Sequence, residues 1–121
     1  MRSKKFLISL VAILSMTLSA PVLASDFNGL VMAIFAINGR AYVAMGNGSF
    51  NGPVSPCSSA TDSAYYMIDL STAFGRVQYS NALAAKVTGH RAYAHGDGSC
   101  NGNPYGGAGV EVMLGIDFRA D

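Results

Sequence analysis

The chain has 121 residues, of which half are apolar and only 12% charged, a balance that excludes a disordered polyelectrolyte. Eight basic residues face seven acidic ones, for a formal net charge of +1. Arg2, Lys4 and Lys5 crowd the start and Arg40, Arg76, Lys86, Arg91 and Arg119 are scattered, so the basic stripe that nucleic acid or an anionic membrane needs is missing.

The positive start leads into an apolar run from Phe6 to Leu18 and then Ser19-Ala20-Pro21-Val22-Leu23-Ala24. This is the three-part grammar of a bacterial-type secretory signal peptide, and its apolar run is too short to span a bilayer. Val22 and Ala24 place the cut before Ser25; Pro21 argues against a cut after Ala20, and the lack of a nearby Cys argues against a lipid anchor. The expectation is a secreted or periplasmic protein whose residues 1–24 are removed. Residues 25–121 then form one small domain with five basic and seven acidic residues, a net charge of −2. No later apolar run reaches the ~20 residues of a spanning helix.

Along that domain, the apolar stretch Leu30–Ile37 is followed by Asn38-Gly39 and then by Arg40–Met45. Asn-Gly between two such runs predicts a hairpin, with strands over 29–37 and 40–45. Residues 46–62, rich in Gly, Asn, Ser and Pro, read as a loop. Residues 64–70 read as a third strand. The period then changes: Ser71-Thr72 offer N-caps, Phe74, Val77, Leu83 and Val87 suggest one apolar face, and Gly89 a stop, so a helix is predicted over 73–88. Strands follow at 91–95 and 110–118, separated by a second Gly-rich loop over 96–109. In the last strand Val110, Val112, Leu114, Ile116 and Phe118 alternate with Glu111 and Asp117, which predicts a buried apolar face and a wet polar one.

The order β-β-β-α-β-β gives a mainly β (α+β) fold class. It fits a small five-stranded OB-like barrel, or an antiparallel sheet with one helix between strands 3 and 4. Cys57 and Cys100 are expected to form a single disulfide, worth roughly 4 kcal/mol on chain-entropy grounds; the alternative is a reactive or metal-binding pair, without a CxxC or basic cluster to favour it.

Two segments echo each other. Arg40-Ala41-Tyr42 precedes Gly46-Asn47-Gly48-Ser49-Phe50-Asn51-Gly52, and Arg91-Ala92-Tyr93 precedes Gly96-Asp97-Gly98-Ser99-Cys100-Asn101-Gly102. The pattern suggests two loops of similar build. The second has the opening of a calcium loop, but its twelfth position is Ala108 where a bidentate acid belongs, so no metal is expected there. His90 and His95 stand an odd number of residues apart, which puts them on opposite strand faces and argues against a shared metal. No nucleophile elbow, zinc-protease motif or spaced acid pair is present, so the chain does not read as an enzyme and no cofactor is expected. The candidate ligand loop is Asp97, Ser99, Asn101, Asn103 and Tyr105. Tyr105 is its aromatic contact, whereas Tyr42, Tyr65 and Tyr93 read as ordinary strand residues.

The export segment, the element order and the passage Ala82-Leu83-Ala84-Ala85-Lys86-Val87-Thr88-Gly89-His90-Arg91, followed by Gly98-Ser99-Cys100, resemble small secreted bacterial proteins related to the binding subunit of subtilase cytotoxin. The likeness covers about residues 64–118 and rests on short motifs; the chain departs from those subunits in having one Cys pair instead of two and a shorter C-terminal segment. It implies an OB-type fold, glycan binding and ring-shaped homo-oligomers, and carries over no glycan-contact residue. The first functional expectation is therefore an exported non-enzymatic domain binding a glycan or surface partner through its Gly/Asn-rich loops. The alternative is a monomeric periplasmic or extracellular protein-binding factor, such as a hydrolase inhibitor or an envelope structural protein.

Overall fold

The computed structural model describes residues 23–101, 103 and 109–118. Five strands and one helix run in the order β1 (Asp26–Ile37), β2 (Arg40–Phe50), β3 (Ala64–Asp69), α1 (Ala73–Thr88), β4 (Ala92–Gly96) and β5 (Glu111–Phe118). The strands form a closed barrel in the order β1-β2-β3-β5-β4, with β4 returning to β1. Every pairing is antiparallel except β3 with β5, which touch in parallel at Tyr66↔Glu111 and Met67↔Val112. This order is compatible with an OB-like barrel, and closure favours it over an open sheet.

The β1–β2 hairpin forms where Asn-Gly requires it: Asn38 and Gly39 take φ of 51° and 73°, the left-handed pair of a type I′ turn. Irregularities in the β1–β2 register between Asn28 and Leu30 and between Val31 and Ala33 let the long strands bend around the barrel. There the backbones come so close that a side chain on Gly48 would run into the Asn28 carbonyl. Phe27, Val43, Met45, Tyr66 and Ile116 fill the interior, and Phe50 meets Phe27 edge-on at 5.0 Å between ring centroids. Cys57 and Cys100 form the expected disulfide.

Three expectations about the strands and loops need correction. Strand β2 runs on through Phe50, so residues 46–50 are strand, not loop. The echo does not survive either: Gly46–Phe50 pairs along β1, whereas 97–101 is irregular, and positive φ falls on Asn47 and Gly52 in the first motif but on Gly98 among the described residues of the second. In β5 the alternation slips. His95 pairs with Gly115 but Gly96 pairs with Met113, so Leu114 is an extra residue that reverses the facing of everything before it. Glu111 and Met113 therefore point inward and Leu114 is exposed.

The helix has the predicted bounds and caps. Thr72 Oγ1 accepts the Gly75 N–H at 2.9 Å, and Gly89, at φ 69°, sends its N–H to the Ala85 carbonyl. Its buried side is the reverse of the expected one. Gly75, Ala82 and Ala85 face the barrel, while Phe74, Val77, Leu83 and Val87 are exposed, Val87 at 84%. Close approach selects small residues: any side chain at Gly75 would strike the Asp69 carbonyl. Close approach also lets Gln78 Oε1 accept the Ile116 N–H at 2.6 Å and Asn81 Nδ2 donate to the Ile116 carbonyl at 3.4 Å. Beyond the short β3 contact, α1 thus meets backbone groups of β5.

This docking makes a prediction that separates the two helix faces. Ala82→Leu overpacks the helix–barrel contact and lowers stability by about 1–3 kcal/mol, whereas Val87→Ser changes it by less than about 0.5 kcal/mol. Urea unfolding of the two variants, at a concentration where the chain is monomeric, checks this, and a large loss from Val87→Ser in the monomer would mean that α1 packs on its other face.

Candidate ligand cleft

Strand β2 is apolar at both parities because it is covered on both sides. Ala41, Val43 and Met45 point into the barrel, while Tyr42 and Ala44 point outward. Register carries the outward set sideways, since Phe35 lies opposite Tyr42 on β1 and Ala44 lies opposite Tyr65 on β3. On this outer face Tyr42 and Met67 are buried with Val110, and Val112 packs against them, forming a second, smaller apolar cluster beneath the segment that enters β5.

Between that segment and the strands lies an open cleft of about 250 Å³ lined by Phe35, Tyr42, Ala44, Tyr65, Asn103, Gly109 and Val110. Its walls are almost wholly apolar. Phe35 and Tyr42 stack with centroids 5.0 Å apart and planes 22° from parallel, and Tyr65 stands half exposed beside them. The Tyr42 hydroxyl is buried and has no hydrogen-bond partner among the described residues. A buried hydroxyl without a partner costs stability, and a bound polar group at this spot would supply one.

The predicted ligand loop meets the cleft only in part. Asn103 lines it. Asp97 Oδ1 instead accepts the Ser99 N–H at 2.7 Å, and Asn101 Nδ2 donates to Ser99 Oγ at 3.0 Å, so these side chains shape their own turn. Tyr105 lies outside the described residues. The aromatics that do line the cleft, Tyr42 and Tyr65, are two that sequence reasoning assigned to plain strand roles. The available clue was Phe35, Tyr42 and Tyr65 sharing one face once the hairpin register is drawn.

The loop is held over the strands by a buried polar cluster. Glu111, wholly buried at the start of β5, accepts four hydrogen bonds. Its Oε1 takes Ser25 Oγ–H at 2.6 Å and Ser55 Oγ–H at 2.9 Å, and its Oε2 takes the N–H groups of Gly98 at 3.0 Å and Ser25 at 3.2 Å. Ser25 Oγ also lies 2.9 Å from the Tyr66 hydroxyl. The single Ser25 hydroxyl proton goes to Glu111, so Tyr66 donates to Ser25. Ser55 Oγ further accepts the Cys57 N–H at 3.2 Å, which ties one half of the disulfide to the same carboxylate. A side chain at Gly96 would collide with that carboxylate, so the cluster also requires glycine there. The prediction of a wet Glu111 fails because the Leu114 bulge turns it inward.

His90 lies before β4 and His95 within it, so the two do not occupy opposite faces of one strand as expected. His95 Nδ1 lies 2.8 Å from Asp26 Oδ1 and its Nε2 3.6 Å from Asp117, while the His90 ring sits 6.1 Å from that of Phe118. Among the described residues no group of three or more His, Cys, Asp or Glu is placed to hold a metal.

Burial pushes the Tyr66 phenol up to about 12, and the carboxylates of Glu111 and Asp26 add to the shift. A raised phenol favours the protonated fold, so this contribution is complete below pH ~10 and is lost as pH rises toward about 12. Denaturant midpoints measured across this window should fall for the native protein. The Tyr66→Phe variant should start less stable, by about 1 kcal/mol for the lost hydrogen bond, and lack this component of the fall. No protein-family model, curated protein or solved structure matches this chain.

Proposed function

We propose that this protein is an exported, non-enzymatic binding domain that takes a sugar ring, or a surface partner displaying one, in the aromatic cleft. The stacked Phe35 and Tyr42 rings beside the half-exposed Tyr65 in an apolar cleft, together with the buried, unpartnered Tyr42 hydroxyl, carry this reading. Sugar rings pair apolar C–H faces with hydroxyl groups, and Phe35, Tyr42 and Tyr65 offer aromatic faces to the former. The outer face of strands 2 and 3, next to the loop before strand 5, is also the ligand surface of OB barrels in general. Asn103 supplies a further polar contact from the loop. Export rests on the leader-like residues 1–24. The disulfide suits an oxidising compartment, and among the described residues no helix is long and apolar enough to cross a membrane.

The exposed apolar residues Val77, Leu83 and Val87 favour self-association through α1, which would multiply weak single-site binding by avidity. This is the point of contact with the toxin-subunit resemblance. The competing reading, a monomer that binds a protein, would use the same helix face for its partner.

A glycan array followed by titration of the best ligand tests the proposal. Tyr65→Ala should weaken binding about tenfold or more. Tyr42→Phe should weaken it about tenfold while leaving the fold equally stable or more stable, since it removes a buried unsatisfied hydroxyl. Unchanged affinity in both variants would sink the cleft as the binding site. Light scattering on the oxidised protein reads the assembly: an oligomer that dissociates on Val87→Glu places the contact on α1, and a monomer at all concentrations removes it.

A further inference from the structure

Ser25, the residue at which the mature chain is expected to begin, is tightly tied into the fold. Ser25 is wholly buried, whereas Leu23 and Ala24 immediately before it are exposed. Every polar group of Ser25 is engaged: its carbonyl accepts the Gly96 N–H at 2.8 Å, its hydroxyl bonds Glu111 and Tyr66, and its N–H points at Glu111 Oε2 from 3.2 Å. The four donors that Glu111 receives are all uncharged, and among the described residues no Lys, Arg or His forms an ion pair with it. A wholly buried carboxylate without a counter-charge is an expensive arrangement.

Resting on the export reading, we infer that cleavage before Ser25 supplies the missing charge: the new α-ammonium of Ser25 pairs with the buried Glu111 carboxylate, a contact that the uncleaved chain lacks. Hydrolysis by the export machinery's signal peptidase adds one water across the Ala24–Ser25 amide. The carboxylate leaves with Ala24, and the freed amine, protonated near neutral pH, stays on Ser25. The nitrogen already lies within hydrogen-bond reach of Glu111 Oε2, so no backbone shift is needed. The place vacated by Ala24 is on the exposed side, where water takes the remaining N–H groups. The position of the cut matters as much as the cut itself, because one residue more or fewer displaces the ammonium by a strand step of about 3.3 Å. Processing thereby completes the cluster that holds the loop before β5, and the precursor folds to a looser domain than the mature protein.

Three forms of the protein test this: one beginning at Ser25, one beginning at Ala24, and one beginning at Ser25 with an acetylated amine. The Ser25 form should melt about 5 °C or more above the other two, and the gap should close in the Glu111→Gln background. Equal melting temperatures, or a gap that persists with Glu111→Gln, overturn the ion pair. Should Glu111→Gln not fold, acylation of the α-amine by a small amine-reactive reagent gives an independent reading. Protection of about 100-fold or more relative to the urea-unfolded chain supports the pair, and equal rates overturn it. The intact mass of the exported protein separates the two levels of the argument. A mass beginning at Ser25 supports export and the pair together. A mass beginning elsewhere overturns the inference for the native protein, and it overturns the export reading as well only where residues 1–24 are retained in full.

Discussion

The buried carboxylate of Glu111 is the constraint around which the molecule is organised. It gathers donors from Ser25 just before β1, from Ser55 in the loop after β2 and from Gly98 in the loop after β4. Those two loops are also the ones joined by the Cys57–Cys100 disulfide. A charged side chain in a barrel this small is tolerated only because its oxygens are saturated, and saturating them fixes three distant chain segments at once. The covalent link and the polar cluster thus do complementary work. The disulfide limits the freedom of the unfolded chain, and the cluster selects one arrangement of the loops in the folded one.

The cleft is downstream of that arrangement. Its floor belongs to the outer face of β1, β2 and β3, but its far wall is Asn103, Gly109 and Val110, the last two leading directly into Glu111. With Glu111 anchored, Val110 and Val112 lie over Tyr42 and Met67 and convert a solvent-facing patch into a second apolar cluster. This burial takes the Tyr42 hydroxyl out of water without giving it a described partner. The same polar cluster that stabilises the loop therefore prepares an unsatisfied group beside two aromatic rings, which is the feature that points to a ligand.

Helix α1 illustrates a different trade. Packing its larger apolar residues inward would hold it away from the barrel. Packing Gly75, Ala82 and Ala85 inward brings it near enough for Gln78 and Asn81 to serve the backbone of Ile116, at the cost of leaving Val77, Leu83 and Val87 in solvent. The backbone groups of a strand that leaves its neighbour early need partners, and here that need outweighs the area gained by burying side chains.

Local chemistry was legible in the sequence by itself. Asn38-Gly39 dictates its turn through positive φ, Thr72 and Gly89 dictate where the helix starts and stops, and short apolar runs bounded by Gly- and Asn-rich segments mark the strands. These signals act over a few neighbouring residues, so they can be read without knowing the fold, and the element order they produced was enough to expect an OB-like barrel. Facing was not legible. Leu114 looks like an ordinary member of an alternating strand, yet one extra residue opposite the His95–Gly96 step turns Glu111 from the wet side to the interior. Which side of α1 is buried, and whether Tyr42 and Tyr65 are plain strand residues or cleft walls, depends likewise on the distance and register of partners far away in the chain. Periodicity specifies which residues share a face; only the assembled barrel, through bulges, close approach and the satisfaction of buried polar groups, decides what that face meets.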